Sequence, residues 1–212
     1  MARRYQARTA DGKKTALGSL LELVVIVVVA LGLALGIQAF IVKPFRIPSE
    51  SMVPTLEVGQ RVLVDRLTPK LGNDYERGDI LVFTPPKGAD SDACGVQPGP
   101  GRPCPRPTSG RADTDFIKRV VAVGGDRISI RGGHVYLNGR RQDEPFANLS
   151  ACTSNDECDM PRPISVPKGY LFMMGDNRGA SADSRLWGPI PKDWVIGSAF
   201  ATYWPPRKIG AL

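Results

Sequence analysis

Between Leu23 and Val42 the chain carries no charged side chain and only one strongly polar one, Gln38. Wound at the helical rise of 1.5 Å per residue, such a run is roughly 30 Å long, the thickness of a bilayer's hydrocarbon core. No other feature limits the chain as much. A cleaved secretory signal has an apolar stretch of about 7–15 residues ending at a small-residue cleavage site. Here the run is longer, and Lys43-Pro44-Phe45-Arg46 follows it. Residues 20–42 therefore read as a retained transmembrane anchor, with Glu22 at the headgroup level and a basic tail, 1–19, in front.

The flanks orient the anchor. Arg3, Arg4, Arg8, Lys13 and Lys14 precede it against Asp11 alone, while Lys43 and Arg46 lie just beyond. Positive charge accumulates on the cytoplasmic side of a span, so the N-terminus is expected in the cytoplasm and everything after residue 42 outside. Cysteine usage agrees, because all four cysteines (Cys94, Cys104, Cys152, Cys158) fall beyond the run. Their spacing is not that of a zinc knuckle. Three disulfide pairings are open, and loop-closure entropy favours the local ones, Cys94 with Cys104 and Cys152 with Cys158.

Composition narrows the function. With 42% hydrophobic and 23% charged residues the chain is not disordered, and 23 Gly and 19 Pro favour strands and turns over a helix bundle. The net charge of +7 is spread among acids without a like-charge run, which argues against a nucleic-acid partner. A single histidine excludes a zinc site built on two, and leaves one candidate base for a Ser-His-Asp triad. That residue, His134, stands in a hairpin pattern with no acid or serine nearby in sequence and reads as an exposed strand position. No metal or other cofactor is expected.

Strand patterns rich in Val, Ile, Phe and Tyr recur at Gln60–Asp65, Asp79–Thr84, Asp115–Val123, Asp126–Ile130, His134–Asn138, Tyr170–Met174 and Val195–Trp204. Val123-Gly-Gly-Asp126 and Asn138-Gly139 look like tight hairpin turns. No amphipathic helix of any length is visible after residue 42. The expected fold is mostly β, a largely antiparallel domain over 43–205 behind one N-terminal transmembrane helix, with a short tail, 206–212. Residues 85–113 hold seven Pro and five Gly, so they read as a surface loop pinned by the first disulfide. Residues 139–168 read as a smaller irregular insertion.

Three stretches can carry chemistry. In Ile47-Pro-Ser-Glu-Ser-Met-Val-Pro-Thr-Leu56, extended backbone puts Ser49 and Ser51 on one face, and Pro48 and Pro54 stiffen the segment against becoming helical. A serine nucleophile needs a base. In Asp115-Phe-Ile-Lys-Arg-Val-Val-Ala-Val123, alternation surrounds Lys118 with Phe116 and Val120. Desolvation penalises an ammonium there, so the amine can be neutral near physiological pH and accept a proton. The third stretch, Gly175-Asp-Asn-Arg-Gly-Ala-Ser-Ala-Asp-Ser-Arg-Leu-Trp-Gly188, gathers acids, amides, arginines and serines in one loop, suited to supporting a site.

Ser49-Glu-Ser51-Met-Val-Pro-Thr-Leu56, Arg77-Gly-Asp-Ile80, Asp115-Phe-Ile-Lys118-Arg119 and Gly175-Asp-Asn-Arg…Ser181-Ala-Asp-Ser-Arg185, in this order behind one span, resemble the bacterial type I signal peptidases. The resemblance implies a membrane-bound Ser/Lys endopeptidase that removes signal peptides from exported preproteins. Its fold would be a largely antiparallel β-domain whose catalytic face associates with membrane lipid. Ser51 would be the nucleophile and Lys118 the general base, with the Ser49 hydroxyl and the Ser51 N–H stabilising the oxyanion. Ser181 would hydrogen-bond and orient the lysine, while Asp176, Asp183 and Arg185 would be structural supports. Phe45, Ile47, Met52, Leu56 and Ile117 would line shallow pockets for small residues at minus-one and minus-three of the cut. Two positions depart from the family pattern: Glu50 stands where glycine is common, and Gly179-Ala180 where Asp-Asn is common. Self-cleaving repressor-type peptidases share Ser/Lys chemistry but are cytosolic and carry a DNA-binding module instead of an anchor. The oligomeric state is not legible.

Overall fold

The structure, a computed structural model, describes residues 16–67, 74–91, 93–98, 103–152 and 158–212. Most of the expected basic tail, including Arg3, Arg4, Arg8, Lys13 and Lys14, lies outside the described residues, as do the central parts of the two expected loops. The chain divides into two units, the first ending at Ala39 and the second running from Phe40 to Leu212.

The described part of the first unit is helical throughout, in α1 (Ala16–Phe40), whose last residue opens the second unit. Its stretch Gly18–Ile37, with a mean hydropathy of 2.9, is long and apolar enough to cross a membrane. The helix starts before the expected boundary and stops two residues short of Val42. Pro44 accounts for the stop: it has no N–H to donate and disfavours helical backbone at Lys43, so the chain turns at Ile41 and becomes extended.

The second unit is built from strands β1 (Val42–Arg46), β2 (Arg61–Asp65), β3 (Ile80–Phe83), β4 (Phe116–Val123), β5 (Arg127–Arg131), β6 (His134–Leu137), β7 (Arg140–Arg141), β8 (Met160–Ser165), β9 (Tyr170–Met174), β10 (Ile190–Pro191), β11 (Val195–Trp204) and β12 (Gly210–Ala211). One turn of helix, α2 (Ser184–Trp187), precedes β10. A large sheet runs in the order β1-β2-β11-β3-β4-β9-β10, with β12 on β11, and a small sheet runs β7-β6-β5-β8. All named pairings are antiparallel.

The seven sequence-derived strands form with ends shifted by a residue or so, but two expectations need correction. Val123–Asp126 is not a hairpin: β4 and β5 belong to different sheets, and the turn passes the chain between them. Asp126 makes this possible, its carboxylate accepting the Val123 N–H at 2.9 Å and pairing with Arg77. The hairpin without a forecast is Gly132-Gly133, both at positive φ (56° and 76°), where Arg131 faces His134; only glycine takes that backbone at little cost. Asn138-Gly139 does turn β6 into β7. Residues 139–168 are likewise not all irregular, because β8 pairs with β5. Proline at two of its positions hides the strand and suits its place at the sheet edge.

The two sheets pack face to face. Val121, Ala122, Phe172 and Met174 of the large sheet meet Ile128, Ile130, Val135, Leu137 and Met160 of the small one. A second cluster gathers Ile47, Met52, Leu56, Val62, Ile80, Val82 and Ile117. A third surrounds Trp187, 0% exposed, with Phe83, Val120, Leu171 and Met173. Each fully buried aliphatic side chain contributes about 1.5–3 kcal/mol. Both local disulfides are present, Cys94–Cys104 and Cys152–Cys158, with Cα separations of 5.7 and 5.5 Å.

Candidate active site

Three separate segments converge on one buried pair. Ser51 lies in a single 3-10 turn, Glu50–Met52, capped by Ser49 in extended backbone (φ −136°, ψ 167°). The prolines thus do not keep this segment fully extended; one tight turn fits between them. That turn, rather than strand alternation, brings the Ser49 and Ser51 hydroxyls to 3.3 Å. Met52 and Leu56, both fully buried, anchor the turn in the core. Glu50 is exposed, which explains how a charge is tolerated between the serines.

Lys118 comes from the middle of β4. Its Nζ donates to Ser51 Oγ at 2.7 Å, and the two residues are only 4% and 5% exposed. With so little of the side chain exposed, the ammonium does not snorkel to bulk water along its stem. Burial pushes its pKa down to about 8; the Asp183 charge pulls it up, Arg185 pushes it down further and Asp176 pulls it up. The ring of Phe116 lies 5.2 Å from Nζ.

The loop after β9 holds the rest. Asp183 is fully buried and accepts from Arg185 Nε (2.8 Å), Arg185 Nη2 (2.8 Å), the Gly175 N–H (3.1 Å) and Ser181 Oγ (2.8 Å). Burial alone would raise its pKa, but the Arg185 charge and these hydrogen bonds win and hold the carboxylate low. The Ser181 hydroxyl, expected on Lys118, donates to Asp183, a charge-assisted bond to a buried carboxylate. Ser181 still borders the Ser51 segment: a Cβ on Gly175 would strike both Ser181 Oγ and the Ser51 carbonyl oxygen. Asp176 grips Arg119 through two bonds (2.9 and 2.7 Å) and accepts from Thr55 Oγ1 at 2.5 Å. This ties the segment after Ser51 to the strand that carries Lys118.

Several supports escaped the sequence reading. Asn177 clasps the Ser51 turn, its N–H donating to the Ser51 carbonyl (3.0 Å) and its amide to the Glu50 carbonyl (3.2 Å). Arg178, 1% exposed, pairs with Glu144 and also donates to the carbonyls of Gly175 and Gly133. Glu144 sits in the insertion, far away in sequence, so no spacing could have linked the two. Gly179 packs so closely on Ala151 that a side chain there would collide with it. That contact gives the glycine at this variant family position a physical reason.

A cleft of about 440 Å³ opens at the dyad, lined by Pro48, Ser49, Ser51, Ile117 and Lys118. Of the five expected pocket residues only Ile117 lines it. Ile47, Met52 and Leu56 are 1% exposed or less and form, with partly buried Phe45, a packed cluster behind Ile117. Strand β9 pairs with β4 only from Arg119 to Val123, whereas β3 pairs with Phe116–Arg119. One backbone edge of Phe116–Lys118 therefore has no strand partner among the described residues. His134 is half-buried beside Arg141 and takes no part. Among the described residues no group of three His, Cys, Asp or Glu side chains converges as metal ligands.

Comparison with known proteins places this arrangement. The chain is 34% identical over 192 residues to the probable signal peptidase I-2 of Synechocystis sp., covering 91% of this chain and 77% of that one. It is 36% identical to a signal peptidase I of Leptolyngbya laminosa over 85% and 77% of the two chains. It is 32% identical to a signal peptidase IB of Staphylococcus aureus over 88% and 90%. The family described as signal peptidase, peptidase S26, matches residues 20–204, a span that includes most of α1, both hydroxyls, the lysine and the supporting loop. By that match and those identities, the chain belongs to the signal peptidase family, peptidase S26.

Proposed function

We propose that the protein is a membrane-anchored signal peptidase I in which Ser51 is the nucleophile and Lys118 the general base. The observation that supports this most directly is the 2.7 Å contact between Lys118 Nζ and Ser51 Oγ, made where burial brings the amine's pKa to about 8. A neutral Nζ accepts the Ser51 proton as Oγ attacks the scissile carbonyl. The Ser49 hydroxyl and the Ser51 N–H stabilise the oxyanion. The protonated lysine then gives its proton to the departing amine, leaving an acyl-enzyme. Water, activated in turn by Lys118, hydrolyses that ester and restores Ser51.

The exported chain binds as a strand against the unpaired edge of Phe116–Lys118, where main-chain hydrogen bonds supply affinity without reading side chains. Its minus-one and minus-three residues turn toward Ile117, which the packed cluster of Phe45, Ile47, Met52 and Leu56 backs. A wall so firmly backed admits a methyl and rejects longer side chains. Asp176, Asp183 and Arg185 act as supports and Ser181 steadies the loop beside the dyad. Helix α1 anchors the protein in lipid, with the N-terminus cytoplasmic and the β-domain extracytoplasmic, as the flanking charges direct.

The test is cleavage of a model preprotein in detergent or lipid by wild type beside Ser51→Ala. Cutting after a small-x-small triplet by wild type only is the expected result. Equal cutting by both would place the nucleophile elsewhere, and cutting by neither would make the protein a binding factor.

A further inference from the structure

The insertion between β3 and β4 reaches the catalytic cleft. Its Asp90, together with Thr114 and Asp115 at the entrance to β4, lines the same 440 Å³ cleft as Ser51 and Lys118. This part of the loop is firmly held. Lys87 and Gly110 are joined by a backbone bond of 2.8 Å, Ala112 and Pro85 by one of 2.9 Å, and Thr108 Oγ1 donates to the Lys87 carbonyl at 2.7 Å. Ala89, 2% exposed, is packed into the cluster that contains Trp187 and Trp194. The Cys94–Cys104 disulfide closes the remainder. Asp90 itself is exposed on the 3-10 turn Ala89–Ser91, and Asp115 is exposed with one hydrogen bond, from Thr84. Among the described residues lining the cleft, Lys118 is the one lysine, arginine or histidine.

We infer that Asp90, presented by this loop and assisted by Asp115, makes the enzyme favour exported chains with a lysine or arginine four or five residues before the cut. The inference rests on the peptidase reading above and on the substrate strand lying along β4. Asp115 precedes Lys118 by three residues, so at the strand rise of about 3.4 Å per residue the carboxylate end lies roughly 10 Å along the substrate from the dyad. The minus-one and minus-three side chains are committed to the apolar wall at Ile117. Continuing in that direction brings minus-four and minus-five abreast of the two aspartates. A cation there meets two carboxylates, and an anion meets repulsion.

The experiment uses one preprotein with Lys, Gln or Glu at minus-four and again at minus-five. It is cut by the full-length enzyme and by Asp90→Asn, Asp90→Lys and, as a control on the same segment, Asp113→Asn. The readout is the ratio of kcat/KM for Lys over Glu. Wild type and D113N are expected to favour Lys about fivefold, the effect of a partly exposed ion pair. D90N should narrow the ratio, D90K should invert it, and 0.5 M salt should shrink it. A wild-type ratio near one, or a ratio unchanged in D90K, overturns the inference while leaving the peptidase reading intact. Failure of wild type to cut even the Gln substrate overturns both.

Discussion

Raising the pH perturbs the Ser51–Lys118 pair through a single group, because Asp183 is held ionised well below neutrality while Lys118 loses its proton near pH 8. Only the neutral amine can accept the serine proton, so kcat/KM should rise about tenfold per pH unit below 8 and level off above it. With that midpoint about a tenth of the enzyme is competent at pH 7, against roughly one molecule in three thousand for an ordinary lysine. Between pH 6 and pH 9 the rate should climb about a hundredfold. The same burial has a thermodynamic mark. Unfolded, Lys118 keeps its proton until its ordinary value of 10.5; folded, it releases it near 8. Between those values the unfolded chain binds more protons, so stability rises with pH across this window, and below 8 the gain is absent. At about 1.4 kcal/mol per pH unit the gain is on the order of 3 kcal/mol. Initial rates from pH 5.5 to 9.5, and urea unfolding of wild type beside Lys118→Met from pH 7 to 11, measure both. A flat rate profile, a plateau reached only above pH 10, or a pH-independent stability difference between the two proteins would refute the reasoning.

Lys118→Arg should lose activity by at least about a thousandfold at every pH up to 10, since a guanidinium does not become a neutral base; substantial turnover in a steady-state assay would rule out Lys118 as base. Gly175→Ala drives a methyl into Ser181 Oγ and the Ser51 carbonyl oxygen; overpacking of this kind costs about 1–3 kcal/mol, and kcat should fall more than KM changes. Asp183→Asn leaves the Arg185 guanidinium, 3% exposed, without its counter-ion, a loss of about 3–5 kcal/mol that thermal unfolding would register as a large drop in Tm.

The anchor, the dyad candidates and most strands are legible because each writes a local pattern. Twenty uncharged residues need no tertiary context to announce a span. Lys118 stands out because alternation surrounds it with apolar neighbours, and the Ser51 segment because its small polar residues sit between prolines. The irregular parts are legible only as exceptions. Strand β8 was hidden by its prolines, which an edge position tolerates, and β1 by its junction with the apolar run. Val123–Asp126 has the composition of a hairpin turn, and whether such a turn returns the chain to the same sheet or passes it to another depends on contacts such as Arg77 with Asp126, 49 residues apart.

The site shows the same division more sharply. Residue types and their order, read along one dimension, determined that a serine, a lysine and an acid-rich loop belong together behind a membrane span. They could not determine that Ser181 would give its hydroxyl to Asp183, nor that Ile47, Met52 and Leu56 would be sealed in the core with only Ile117 reaching the cleft. Glu144 holding Arg178, and Asp90 standing at the cleft from within a proline-rich loop, were equally out of reach. The tertiary structure alone decided these. Hydrogen-bond partners and burial are settled by competition among groups far apart in sequence, and the stronger acceptor or the denser packing wins only once the fold has brought the rivals together.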